Sequence, residues 1–239
     1  MTVICQLPKI TGMYTLFVFG SLALTVALAW ATYQSGRLLR AIPVRENLLL
    51  APVENVVKAI LVLVCIALGM LSGAPPGQLG WTLDNGWRDL GLGIIIGLVT
   101  QLIANHITLL AIRIWGKHIY SPVVMRNIMP RTRTQWLLVP AALALAVLLE
   151  ELLFRSLLLG ALSLTVPIPV LVIGFSAIFG LMHSPQGILG VVITGVISVW
   201  LSLLFLWSGG LILPLTTHYV INLLQLVNGV DKRAWLDSY

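Results

Sequence analysis

Apolar runs of about 20 residues follow one another along this chain, separated by short polar connectors, and that pattern restricts the fold more than any single motif. About 20 apolar residues in a helix cross about 30 Å of hydrocarbon. Within lipid the backbone must pair its own N–H and C=O groups, which a helix does internally. Seven runs are expected as spans: Ile10 to Tyr33, Pro52 to Leu71, Leu90 to Trp115, Gln135 to Leu162, Pro167 to His183, Gly187 to Trp207 and Gly210 to Val227. The fifth is near the lower limit of length.

Composition agrees with an integral membrane protein. Of 239 residues, 59% are hydrophobic and 9% charged, against about 45–50% and about 25% in a soluble domain. The expected fold class is all-α, a polytopic membrane bundle of about seven transmembrane helices. Residues 1–136 would hold three spans and a cytosolic connector, residues 137–228 four more spans, and residues 229–239 a short cytosolic tail. No soluble domain fits into the connectors.

The net charge of +6 does not point to nucleic acid, because the basic residues cluster between spans. With the N-terminus outside and the C-terminus inside, 11 of the 14 Lys and Arg collect at cytosolic ends, leaving only Lys9 and Arg88 outside and Arg155 within the membrane. The positive-inside rule favours that orientation. The terse loops suit a bacterial cytoplasmic membrane. Cys5 and Cys65 support neither a disulfide framework nor a thiolate metal site.

Against this background the run Leu148-Leu149-Glu150-Glu151-Leu152-Leu153-Phe154-Arg155 is costly. A charged side chain at the centre of a membrane helix costs about 2.5 to 3.5 kcal/mol and usually faces a bundle interior or a watery cavity. Glu151 and Arg155 are four residues apart and can pair on one helix face. Glu150 points about 100° away, which leaves one carboxylate available as a general base or metal ligand. The same three charges could instead form an ionic knot that only fixes packing. Two later stretches bear on that choice: Phe179 to His183 puts a histidine at a helix end, and His218 to Asn222 puts His and Asn on one face. A bundle can bring Glu150, His183, His218 and Asn222 around one cavity.

Taken together, Glu150-Glu151-x-x-x-Arg155, Phe179-x-x-x-His183 and His218-x-x-x-Asn222 resemble the CPBP family of intramembrane proteases, the CAAX proteases and bacteriocin-processing enzymes also called Abi proteins. The resemblance covers roughly residues 137 to 228, and the motifs occur in the family's order. It implies an endopeptidase in which Glu150, helped by His183, activates water. Glu151 and Arg155 would support that glutamate, Phe179 would accompany His183, and His218 with Asn222 would bind the developing oxyanion. Preorganised donors of that kind are worth about 2.7 to 4 kcal/mol each. The implied partners are a peptide or protein substrate and the lipid bilayer.

Glu150, His183 and His218 also supply the two-histidine, one-carboxylate set of many hydrolytic zinc sites, so a divalent metal such as Zn is an open alternative to water activated by Glu and His. No His-Glu-x-x-His helix, no Gly-x-Ser-Gly nucleophile and no Gly-x-Gly-Asp motif is present. Asp84 and Asp89 are expected in a loop. Two other classes stay on the table: a non-catalytic immunity or scaffold protein binding a peptide in the same cavity, and a transporter using the charges as an ion site.

Asn105 and His106 are expected to make interhelical hydrogen bonds, with Gln101 sharing a face with Asn105. Trp81, Trp87, Trp115, Trp136, Trp207 and Trp235 are expected to form an aromatic belt at span ends. A fourth helix starting at Gln135 would put Glu150 about 22 Å along its axis, whereas His183 sits near the cytosolic end. A later start, with Gln135 to Val139 interfacial and a break at Pro140, would reconcile the two and open the cavity toward the cytosol.

Overall fold

The architecture comes from a computed structural model that describes residues 12–41 and 47–231. Among these residues eight α-helices follow in order: α1 (Gly12–Ala41), α2 (Pro52–Leu71), α3 (Gly86–Trp115), α4 (Val123–Ile128), α5 (Arg133–Glu151), α6 (Ile168–Met182), α7 (Gly187–Ser208) and α8 (Ile212–Asp231). α5 runs on into a wider π-helical segment, Leu152–Ala161. No strand occurs among the described residues.

Among the described residues five helices are long and apolar enough to cross a membrane: α1, α2, α3, the combined Arg133–Leu164 helix and Ser184–Ser208. The other two expected spans differ for physical reasons. α6 has only 15 residues, about 22 Å at 1.5 Å per residue. α8 is long enough but carries Thr216, Thr217, His218, Asn222, Gln225 and Asn228, which dilute its apolar character.

The boundaries also shift. α1 continues to Ala41, so Arg37 and Arg40 ride on the helix rather than in a connector, while Arg45 lies outside the described residues. α3 starts at Gly86, which moves Asp89 from the expected loop into a first helical turn. Asp89 is buried there and accepts hydrogen bonds from Arg88 Nε and Nη2. Lys9, Cys5 and Trp235 fall outside the described residues.

The helix carrying the three charges is central. Every residue of its π-helical segment is buried, together with Val139, Leu143, Val147, Leu149 and Glu151 of α5. Around it the outward faces of α1, α2 and α3 expose large apolar side chains such as Phe19, Val53 and Ile95, as lipid-facing surfaces do. α3 lies close against α8 because Gly93 and Gly97 have no side chain there. A Cβ on Gly97 would stand 2.8 Å from Val220 Cβ and 2.9 Å from the Thr217 carbonyl. α6 and α7 meet at Gly180, where a Cβ would be 2.6 Å from the Val191 carbonyl.

Trp81 departs from the expected belt. Its Nε1 donates to Ser156 Oγ at 3.1 Å, and Ser156 Oγ donates to the Leu79 carbonyl at 2.7 Å, so the 72–85 connector is tied into the core. Trp87, Trp115 and Trp207 stay exposed at helix ends.

The expected later start of the fourth helix and its break at Pro140 do not occur. α5 begins at Arg133, with its N-cap Thr132 accepting from the Gln135 amide, and it passes through Pro140 without a break. Proline there removes one backbone hydrogen bond of the helix. The short α6 ends at its C-cap His183, which lines the same cavity as Glu150. The 117–128 connector folds over the turn Ser184–Gln186: the Ser121 amide donates to the Gln186 carbonyl.

Candidate active site

Adjacent residues at the end of α5 separate as helix geometry requires. Glu151 is fully buried, while the Glu150 carboxylate is 32% exposed and lines a cavity of about 340 Å³. His183, His218 and Asn222 line the same cavity, with Phe179, Gln101 and Asn105. The residues singled out in three separate stretches thus converge from α5, α6 and α8.

Each histidine has one nitrogen tied. His183, at the C-cap of α6, points Nδ1 at the Phe179 carbonyl at 2.8 Å. A carbonyl only accepts, so Nδ1 carries the proton, and Nε2 of the neutral ring keeps a lone pair. His218 donates from Nδ1 to Glu151 Oε1 at 2.7 Å. Its Nε2 lies 3.6 Å from Glu150 Oε2, too far for a direct hydrogen bond.

Glu151 is held from two sides. Arg155 Nη1 donates to the same Oε1 at 2.9 Å, and Arg155 Nη2 donates to the carbonyl and Oγ of Ser198 on α7, each at 3.2 Å. Both members of the pair are completely buried. Such a pair repays its desolvation only with good geometry and additional hydrogen bonds, and His218 and Ser198 provide those bonds. Glu151 thus contacts Arg155 and His218 directly, and His218 in turn lies beside Glu150.

Phe179 sits at the centre of this arrangement. Its ring is 4.8 Å from the ring of His183, 6.0 Å from that of His218 and 5.0 Å from that of Phe154, and it lies 5.3 Å from Arg155 Cζ. It is 2% exposed. The side chain spaces the two histidines while its carbonyl orients one of them.

The donor types of Glu150, His183 and His218 suit a metal, but the geometry does not bring them together for one. Among the described residues no group of three His, Cys, Asp or Glu is placed to hold a metal ion. Ser198 had no signal in the sequence, since a serine in an apolar helix is unremarkable. Asn105 and His106 do not bond between helices: Gln101 Nε2 donates to Asn105 Oδ1 at 3.0 Å, and His106 Nδ1 meets the Leu102 carbonyl of its own helix at 2.9 Å.

The cavity is also lined by Thr32, Thr108, Tyr120 and Val124. It therefore lies toward the end of the bundle where Arg37, Arg40, Arg113, Lys117 and Arg126 gather. In comparison with known proteins, residues 132–224 fit the family model of the Rce1-like type II CAAX prenyl endopeptidases. No curated protein and no solved structure matches the chain.

Proposed function

From the Rce1-like domain that residues 132–224 carry, we propose that this chain is an intramembrane endopeptidase that uses Glu150 to activate water. The observation that carries the proposal is the convergence of Glu150, His183, His218 and Asn222 on one cavity, with the buried Glu151–Arg155 pair behind His218.

Amide hydrolysis needs a base for water and donors for the negative charge that develops on the carbonyl oxygen. Glu150 takes a proton from water, and His183 Nε2 accepts a hydrogen bond from the same water and orients it. The hydroxide oxygen bonds to the scissile carbonyl carbon. Its carbonyl oxygen becomes an oxyanion, which Asn222 Nδ2 and His218 Nε2 bind. The proton held by Glu150 passes to the amide nitrogen, the C–N bond breaks and the amine leaves.

His218 has a specific requirement in this scheme. Its Nδ1–H is committed to Glu151, so donation from Nε2 needs the doubly protonated ring. Glu151 then faces the imidazolium charge as the buried carboxylate faces histidine in serine protease triads. Arg155 and Ser198 hold that carboxylate in place. No step passes through a metal.

The substrate is a membrane-associated peptide or protein segment that enters from the basic end of the bundle, the cytosolic side under the positive-inside rule. Prenylated CAAX sequences are the substrate class in the family's description, and they form one arm of the test. Membranes from cells carrying wild-type protein or Glu150→Gln are compared by quantitative peptide profiling, with and without a farnesylated CAAX reporter. The expected result is loss of a defined set of cleavage products at equal membrane insertion. Identical profiles would overturn the proposal.

A further inference from the structure

The cavity reaches well past the catalytic groups, and the wall it meets on α3 carries two amides, Gln101 and Asn105, beside Ala104, Thr108 and Leu109. Gln101 is 4% exposed, and its Nε2 donates to Asn105 Oδ1 one turn further on. That bond uses one amino hydrogen and one carbonyl. Whichever way round the two amides are oriented, the pair has one carbonyl oxygen and one amino group left to offer. Both residues line the cavity.

Their height follows from the packing of α3 on α8. Gly93 faces Thr216 and Gly97 faces Val220, so the two helices run parallel in a fixed register. Continuing it puts Gln101 level with Leu224 and Asn105 level with Asn228. At 1.5 Å per residue, Gln101 is about 3 Å and Asn105 about 9 Å beyond Asn222 toward the basic end. An extended peptide rises about 3.3 Å per residue. The amide pair therefore stands one to three residues from a bond held at Asn222.

A peptide stretched through a cavity at membrane depth brings backbone N–H and C=O groups that water no longer serves, and each unpaired group costs free energy. A side-chain amide is the chemical copy of what an adjacent strand would offer. We propose that Gln101 and Asn105 read the substrate's backbone, accepting from one peptide N–H and donating to one peptide C=O on the basic side of the scissile bond. The inference rests on the protease reading and adds two positioning residues from the part of the chain before the Rce1-like domain. It assigns the substrate an extended conformation at those residues, with little demand on its side chains.

The test uses full-length protein in lipid nanodiscs and internally quenched peptides, farnesylated and plain, selected from a library by wild-type cleavage. In each, single amides near the scissile bond are replaced by esters, which removes one N–H. Losing one backbone hydrogen bond is expected to cost roughly three- to tenfold in kcat/KM, expressed in KM. Wild-type protein should show that loss at one ester position within three residues of the cut. Gln101→Leu and Asn105→Leu should each already be slower on the all-amide peptide; the variant that removes the accepting carbonyl should lose nothing further at that same position, while the variant that removes the donating amino group keeps the loss there. If both variants kept the wild-type loss at that ester position, or either variant were as fast as wild type on the all-amide peptide, the two residues would be structural and the inference wrong. Glu150→Gln is run alongside: cleavage surviving in it, or a wild-type protein that cuts no library member, overturns the protease reading itself.

Discussion

At the scale of single residues, two neighbouring glutamates do different work because one helix step turns them about 100° apart. Glu150 faces the cavity, and Glu151 is locked between Arg155 and His218. Glu151→Gln keeps the shape and removes the charge. The amide can present either an oxygen or an N–H to His218 Nδ1, so the ring orientation that Glu151 enforces is lost. The comparable Asp→Asn change in a serine protease triad lowers kcat about 10⁴-fold, and a fall of about 10³- to 10⁴-fold is expected here with KM little changed. Steady-state kinetics on a cleaved peptide measure it, and a kcat within tenfold of wild type would show that Glu151 only packs. The sequence made the pairing of Glu151 with Arg155 legible, because four-residue spacing fixes it. It could not show that His218 completes the set, since that contact joins residues 67 apart in the chain.

At the scale of helices, most of the span positions were legible from apolarity alone, and α2 has the expected bounds of Pro52 and Leu71. What was not legible is which helix ends meet. The shortness of the fifth run was visible as a number, but that its end, His183, shares a cavity with Glu150 depends on how the helices pack. The π-helical segment after Glu151 had no signal either; apolar residues in a row fit an α-helix equally well. Its wider turn carries Arg155 and Ser156, which tie it to Ser198 on α7 and to the 72–85 connector.

Close packing of α3 on α8 gives the element scale its own test. A Cβ at Gly97 would stand within 3 Å of both Val220 and the Thr217 carbonyl, and Thr217 directly precedes His218. Gly97→Leu must push α3 away or rotate α8. Overpacking of this kind costs about 1–3 kcal/mol, so a lower melting temperature in detergent and at least a tenfold loss of kcat/KM are expected. Gly91→Leu serves as control, because nothing lies within 4 Å of a Cβ there. Equal behaviour of the two variants would remove the link between this packing and the site.

For the whole molecule, the cavity and the basic helix ends lie on one side, while the 72–85 connector and Trp87 lie on the other. That separation decides where substrate and water enter. If the basic end is cytosolic, a cysteine at exposed His118 is shielded from a membrane-impermeant maleimide in intact cells and labelled after permeabilisation. A cysteine at exposed Asp84 is labelled in both. The background is Cys5→Ser with Cys65→Ala; Cys65 is fully buried in the core, so its replacement is checked for normal expression first. The reverse labelling pattern would invert the molecule. The same three motifs would then open to the outside, and a cytosolic prenylated peptide would be excluded as substrate whatever the chemistry of Glu150. The positive-inside bias carries the expected orientation because 11 of the 14 basic residues would otherwise have to lie on the disfavoured side.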